Sequence, residues 1–207
     1  MRANRSHALA RGSKHVMTEE KIRSDIRTEI SNRFSRHSGA RIIEEMEVCS
    51  GRARVDMAVI SDLLIGIEIK GPNDDLHRLP GQANQYSECF DQVVLVVHDG
   101  LANAAAELVP GWWGIVVGAD CGEAYTYRLR RRPRKNPGVK AEAVLSLLWK
   151  VEIGYLWAEF FLNSPPAKAS KKRLRHQLLS TVSAERLRAA GISLLKNRMD
   201  WRALPIT

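Results

Sequence analysis

The chain has 207 residues, 44% of them hydrophobic, with a formal net charge of +9. That is one domain, or one domain with a helical appendage, and enough chain for a real core. No apolar run approaches the roughly 20 residues of a membrane span, and the basic N-terminal stretch MRANRSHALARGSKH lacks the apolar core of a secretion signal. The three cysteines, Cys49, Cys89 and Cys121, are odd in number and far apart. They exclude a disulfide framework and a thiolate zinc site, and they suit a reducing cytoplasm, the expected location.

The charge is segregated. Residues 41–127 hold 5 basic against 14 acidic side chains, residues 128–140 hold seven basic and no acidic ones, and residues 165–207 hold ten basic against two acidic. An acidic centre between basic segments suits a partner with phosphates, with DNA as the expected one. Basic tails that are merely solvated have the same composition.

In chain order, residues 1–16 are small, polar, basic and without period, and read as disordered. Thr18 caps a helix carrying Ile22, Ile26, Ile30 and Phe34 on one stripe, ended by Ser38-Gly39. Arg41–Cys49 reads as a strand, and Ser50-Gly51 turns into a hairpin of Arg54–Ile60 and Leu63–Ile69 around Ser61-Asp62. Gly71-Pro72-Asn73 breaks the strand, and Asn73 or Asp74 caps a helix to about Phe90 that Pro80 kinks or restarts. Gln92–His98 is apolar enough for a strand covered on both faces, followed by a helix over Ala102–Leu108 and strands over Trp112–Val117 and Ala124–Leu129. Trp112 and Trp113 read as packing residues rather than a base-stacking platform. A helix over Ala141–Leu162, divided at Gly154, leads to short helices over Lys171–Thr181, Ser183–Ala190 and Ile192–Met199. The expected fold class is α/β, a mixed central sheet flanked by helices with a C-terminal helical subdomain. The expected organisation is a disordered 1–16, a core over 17–130, a basic linker over 131–140 and a helical basic subdomain over 141–207.

Three charges interrupt the hairpin: Asp56, Glu68 and Lys70. Burial makes such charges costly unless they are paired or bind metal. Glu68 and Lys70 share a strand face, and Asp56 lies on the partner strand. Two readings follow: a divalent-cation site with a helper lysine, or a structural ion pair of Lys70 with Asp56 or Glu68. Arg52 and Arg54, just before, are placed to hold phosphate or to pair with acids.

Asp56 followed by Glu68-Ile69-Lys70 resembles the signature of the PD-(D/E)XK nuclease superfamily. Glu45 precedes the run Cys49-x-Gly51-x-x-Arg54-x-Asp56, and Asp74-x-Leu76-x-Arg78-Leu79-x-x-Gln82-x-x-x-Tyr86 follows the lysine. Later come Trp112-Trp113-Gly114, Asn136-Pro137, Leu147-Leu148-Trp149-Lys150-x-Glu152 and Arg198-x-x-Trp201-Arg202. From about Thr18 onward this ordered set resembles a small bacterial family of that superfamily with a locus-tag name and no assigned function. Gly71-Pro72 departs from the polar pair expected after the lysine.

The resemblance implies a restriction-endonuclease-like core and a metal-dependent DNA endonuclease of repair, mobile-element or phage-defence type. Asp56, Glu68, the Ile69 carbonyl and Glu45 would bind Mg²⁺ or Mn²⁺, since an all-oxygen set suits those ions. Lys70 would orient the attacking water. Asp74, Arg78, Gln82 and Tyr86 are second-tier candidates. Arg52, Arg54, Arg130, Arg131, Arg132, Arg134, Lys135, Lys171, Lys172 and Arg173 are candidate nucleic-acid contacts. The alternative is a non-catalytic nucleic-acid-binding or interaction protein, and a third class is a transcription regulator acting through the basic helical tail. Many enzymes of the resembled superfamily cut as dimers, which makes a homodimer the expected assembly if there is one.

Overall fold

In a computed structural model, residues 18–34, 39–121 and 125–201 are described. The expectation of disorder over 1–16 and the helix stop at Ser38 lie outside these residues. A six-stranded sheet forms the frame: β1 (Arg41–Val48), β2 (Ala53–Ile60), β3 (Leu64–Lys70), β4 (Gln92–His98), β5 (Gly114–Asp120) and β6 (Tyr125–Arg131). The strands lie in sequence order. β1, β2 and β3 run antiparallel, β3, β4 and β5 parallel, and β5 and β6 antiparallel. This is the mixed α/β architecture that the alternation of strand and helix patterns predicts.

One helix, α1 (Glu19–Phe34), covers one face. The Thr18 hydroxyl accepts from Lys21 N at 3.3 Å, so the cap forms as expected. Ile22, Ile26 and Ile30 pack on Met57, Val59, Ile67, Ile69 and Val96. The opposite face carries α2 (Leu79–Cys89), α3 (Ala102–Leu108) and the C-terminal helices α4 (Ala141–Leu147), α5 (Lys150–Phe161), α6 (Lys171–Thr181) and α7 (Ala184–Asn197). Their buried residues join one apolar core that runs from Val48 and Val55 through Tyr86 and Trp113 to Leu148, Leu178 and Leu195.

Three boundaries differ from the expectation, each for a local reason. α2 starts at Leu79, not Asp74; Pro80 opens the helix at its first turn, where a missing N–H costs nothing. Asp74 instead turns back and accepts from Gly71 N at 2.6 Å. The helical stretch 141–162 breaks at Leu148-Trp149 rather than at Gly154, because the buried Glu152 carboxylate accepts from Trp149 N at 2.6 Å and starts a new helix there. Residues 184–197 form one helix through Gly191, whose missing side chain lets α7 approach α4: a Cβ there would lie 3.0 Å from Val144 Cγ1.

The basic stretch after β6 is an ordered strap. Arg134 N donates to Trp112 O, Asn136 N to Asp91 O and Lys140 N to Glu88 O, each at 2.8 Å. The buried Asn136 amide donates to the carbonyls of Ser87 and Phe90 at 2.7 Å, which explains why an Asn-Pro belongs here. No helix of the described residues is long and apolar enough to cross a membrane.

Candidate functional site: a polar cleft at the open end of a hairpin

The β2–β3 ladder pairs Ile60 with Leu64 through Met57 with Ile67, and stops there. Beyond it the strands splay. The Ile69 N–H, freed from the ladder, donates to Asp56 Oδ2 at 2.7 Å. On the other side of β2, Glu44 pairs with Met57 and Met46 with Val55, but Glu45 takes φ = 52° and drops out of register. The splay and the irregular Glu45 open a cleft of about 540 Å³ lined by Glu19, Glu45, Arg54, Asp56, Glu68, Lys70 and Gln82, among others.

Glu68 is 2% exposed and Lys70 6%. Lys70 Nζ donates to Glu68 Oε1 at 2.9 Å, and Gln82 Nε2 donates to the same oxygen at 2.6 Å. The Tyr86 hydroxyl lies 2.8 Å from both Glu68 Oε2 and the Arg54 carbonyl, so its one proton serves either acceptor. Burial, with Glu68 beside it, pushes the Tyr86 phenol well up and keeps it a donor. Gln82 and Tyr86, one turn apart on α2, thus reach the Glu68 carboxylate together.

Asp56 is held differently. Arg23 of α1 donates from Nη2 to Asp56 Oδ1 at 3.0 Å and to Glu19 at 3.0 Å, and from Nη1 to Glu45 Oε1 at 2.6 Å and to the Asp56 carbonyl at 3.3 Å. Glu45 Oε2 also takes Arg54 Nε at 2.8 Å. Burial and the neighbouring Glu68 push the Asp56 carboxyl up to about 6, only partly offset by the Ile69 N–H, Arg23 and Lys70.

The expected residues Glu45, Asp56, Glu68, Lys70, Gln82 and Tyr86 therefore do converge. Asp74 and Arg78 lie on the cleft wall, Asp74 committed to Gly71 N and Arg78 exposed at the start of α2. Sequence reasoning missed Arg23; the only local signal was its helical spacing from Glu19.

The arrangement does not fit the implied Mg²⁺ or Mn²⁺. Both Asp56 oxygens and Glu68 Oε1 already receive protein donors, Glu68 Oε2 faces the Tyr86 hydroxyl, and a guanidinium stands among Glu19, Glu45 and Asp56. Among the described residues no group of three or more His, Cys, Asp or Glu is arranged to hold a metal ion. The Lys70–Glu68 contact matches the ion-pair reading.

Of the candidate phosphate contacts, Arg52 donates to the Cys49 carbonyl at 3.0 Å and faces Glu88 at 3.6 Å. Arg54 pairs with Glu45. Lys171 donates to the Ser146 carbonyl at 3.1 Å and is half-buried, and burial lowers its ammonium pKa. Arg131 is tied to the carbonyls of Trp113 and Pro110. Arg130 and Arg134 donate to Asn103 and Gly111, yet remain exposed. Arg132, Lys135, Lys172 and Arg173 are exposed, as is Arg128. The quoted Trp149, Glu152, Arg198 and Trp201 form a structural clamp around a buried ion pair: the Arg198 guanidinium lies 4.4 Å from each of the two half-buried indole rings and donates Nε to Glu152 Oε1 at 2.8 Å.

Fold and site thus define a mixed α/β sheet protein whose carboxylates are neutralised by its own cations and whose free basic groups lie elsewhere. A family model for bacteriophage P4 protein cII matches residues 13–203, and the chain belongs to that family. It is 25% identical over 161 residues to Protein cII of Enterobacteria phage P4, covering 78% of this chain and 60% of that protein. The chain thus spans less than two thirds of that relative's length. Among solved structures, the SPO1766 protein of unknown function from Silicibacter pomeroyi resembles it at 20% identity with a TM-score of 0.36, covering 77% of this chain and 84% of that one.

These matches correct the expectation of a nuclease. The family that claims nearly the whole chain is a phage protein family, and neither family nor relative carries the name of a PD-(D/E)XK nuclease. The matches give no support to endonuclease, hydrolase or magnesium chemistry, and the Arg23 guanidinium standing among the cleft carboxylates accords with that. The non-catalytic alternative fits better.

Proposed function

We propose that this chain is a non-catalytic nucleic-acid-binding protein that grips DNA phosphates with the basic edge of its sheet. The observation that carries this is the state of Arg128, Arg130, Arg132, Arg134 and Lys135. All five are exposed, on edge strand β6 and the segment after it. Among the described residues none of them has a carboxylate within ion-pair distance, whereas the cleft arginines Arg23 and Arg54 are paired. Burial lowers the Arg131 pKa, and Arg134 and Arg130 lower it further, so like charges crowd here. Polyanion binding relieves that crowding and releases counterions. An edge strand also leaves a row of backbone donors open to phosphate.

The test is fluorescence anisotropy of labelled duplex and single-stranded DNA across a salt series, comparing the native chain with the triple variant Arg128→Gln, Arg130→Gln, Arg132→Gln. Affinity should fall steeply with salt, and the variant should lose about two to three units of the log–log salt slope, roughly one per phosphate contact. A variant that binds as tightly and with the same slope, or a native chain that binds neither DNA at low salt, overturns the reading.

A further inference from the structure

We propose that Arg23 is a built-in cation: its guanidinium fills the seat between Glu45 and Asp56 that a divalent ion would need, and so docks α1 on the sheet while excluding free metal.

Four acceptors surround one side chain. Arg23 reaches Glu19 on its own helix, Glu45 on β1, and both the carboxylate and the carbonyl of Asp56 on β2. Its contacts therefore cross-link three elements, as a bound divalent ion does. The planar fork suits this role because its donors serve several carboxylates at fixed angles. The side chains of Arg23 and Asp56 are 19% and 18% exposed, so bulk water screens the contact only weakly. Asp56 Oδ2 also holds a donor, the Ile69 N–H at 2.7 Å. The buried Glu68 takes Lys70 and Gln82 on Oε1 and faces the Tyr86 hydroxyl at Oε2. An incoming cation must displace a guanidinium that already satisfies three carboxylates.

The docking role adds to two other ties between α1 and the sheet: Arg27 pairs with Glu44 on β1, and Asp25 accepts from the Tyr127 hydroxyl on β6 at 3.3 Å. Ile22, Ile26 and Ile30 supply its buried stripe, and every other residue of the helix is at least partly accessible. Arg23 adjoins the first of them and closes the helix against the cleft rim.

The experiment titrates Mn²⁺ into the full chain and reads free ion by electron paramagnetic resonance, alongside hydrogen exchange over residues 19–34. The native chain and Arg23→Lys, which keeps the charge, should leave Mn²⁺ free up to roughly 1 mM. Arg23→Gln should take up one ion per chain, at least about tenfold more tightly, and lose it again when combined with Asp56→Asn. Its α1 amides should exchange at least about tenfold faster than in the native chain. Native chain that binds one Mn²⁺ as tightly as Arg23→Gln overturns the proposal. So does a folded Arg23→Gln chain that binds none, or α1 exchange that does not change. If Arg23→Gln fails to fold, the native chain and Arg23→Lys decide it, because stoichiometric uptake by either one overturns the exclusion.

Discussion

Arg198 and Glu152 form a bidentate pair, Nε to Oε1 at 2.8 Å and Nη2 to Oε2 at 2.5 Å, enclosed between the rings of Trp149 and Trp201. Glu152 also accepts from Trp149 N, so one carboxylate starts α5 and ties it to the residue that follows α7. Removing one partner of such a pair leaves a buried charge alone, at a cost of about 3–5 kcal/mol. Glu152→Ala should lower stability by that amount in urea unfolding, whereas Arg198→Met combined with Glu152→Leu should recover a large part of it. A loss below about 1 kcal/mol in the single variant would show that the pair is not holding the helices together.

Tyr86→Phe tests the second buried carboxylate. The phenol stacks beside Trp113 with ring centroids 6.0 Å apart, and that packing survives the change. What is lost is the hydroxyl at 2.8 Å from Glu68 Oε2 and the Arg54 carbonyl. We predict a destabilisation of about 1–3 kcal/mol with unchanged near-ultraviolet circular dichroism, the signature of an unsatisfied acceptor rather than a cavity.

Much of this was legible in the chain, and the reason is period. The stripe Ile22, Ile26, Ile30 and Phe34, the alternating hairpin and the apolar Gln92–His98 run each place a face by local rules alone. The cleft was legible for the same reason: Glu68 and Lys70 share a strand face, and Gln82 and Tyr86 share a helix face. The neutralising partners were not legible. Arg23 lies 33 positions before Asp56 and Arg198 lies 46 after Glu152. An arginine on a helix reads as surface until the helix is docked. The sequence shows acids converging, which suggests metal; the cation that answers them is long-range information. Gly154 and Gly191 misled for the opposite reason. Both read as breakers, while one sits inside α5 and the other lets α7 approach α4.

The strap after β6 makes a steric prediction. An ideal Cβ on Gly114 would lie 2.9 Å from Pro133 N, a backbone atom that cannot rotate away. Gly114→Ala should therefore cost about 1–3 kcal/mol by overpacking. It should also displace residues 132–135, so DNA affinity should fall together with stability. Gly81→Ala, where a Cβ would meet nothing within 4 Å, is the control: it should leave DNA affinity unchanged and, lying inside α2, raise stability by up to about 1 kcal/mol.

The last prediction concerns pH. With its pKa raised to about 6, Asp56 in the folded chain holds a proton that the unfolded chain releases near the ordinary aspartate value of about 4. Between those two values the native state binds more protons, so the Asp56 contribution to stability falls as pH rises. It is fully present below about pH 4 and is lost as pH passes through about 6. Asp56→Asn removes this titration and keeps an acceptor for Ile69 N. Melting temperatures of the two chains should therefore move apart between those pH values in favour of Asp56→Asn, by about 2–4 °C for each kcal/mol in a chain of this size. Carboxylates away from the cleft titrate in both chains and cancel in the difference. A difference that stays constant with pH, or moves in favour of the native chain, would mean that Arg23 and Lys70 outweigh burial and that Asp56 is already ionised well below that window.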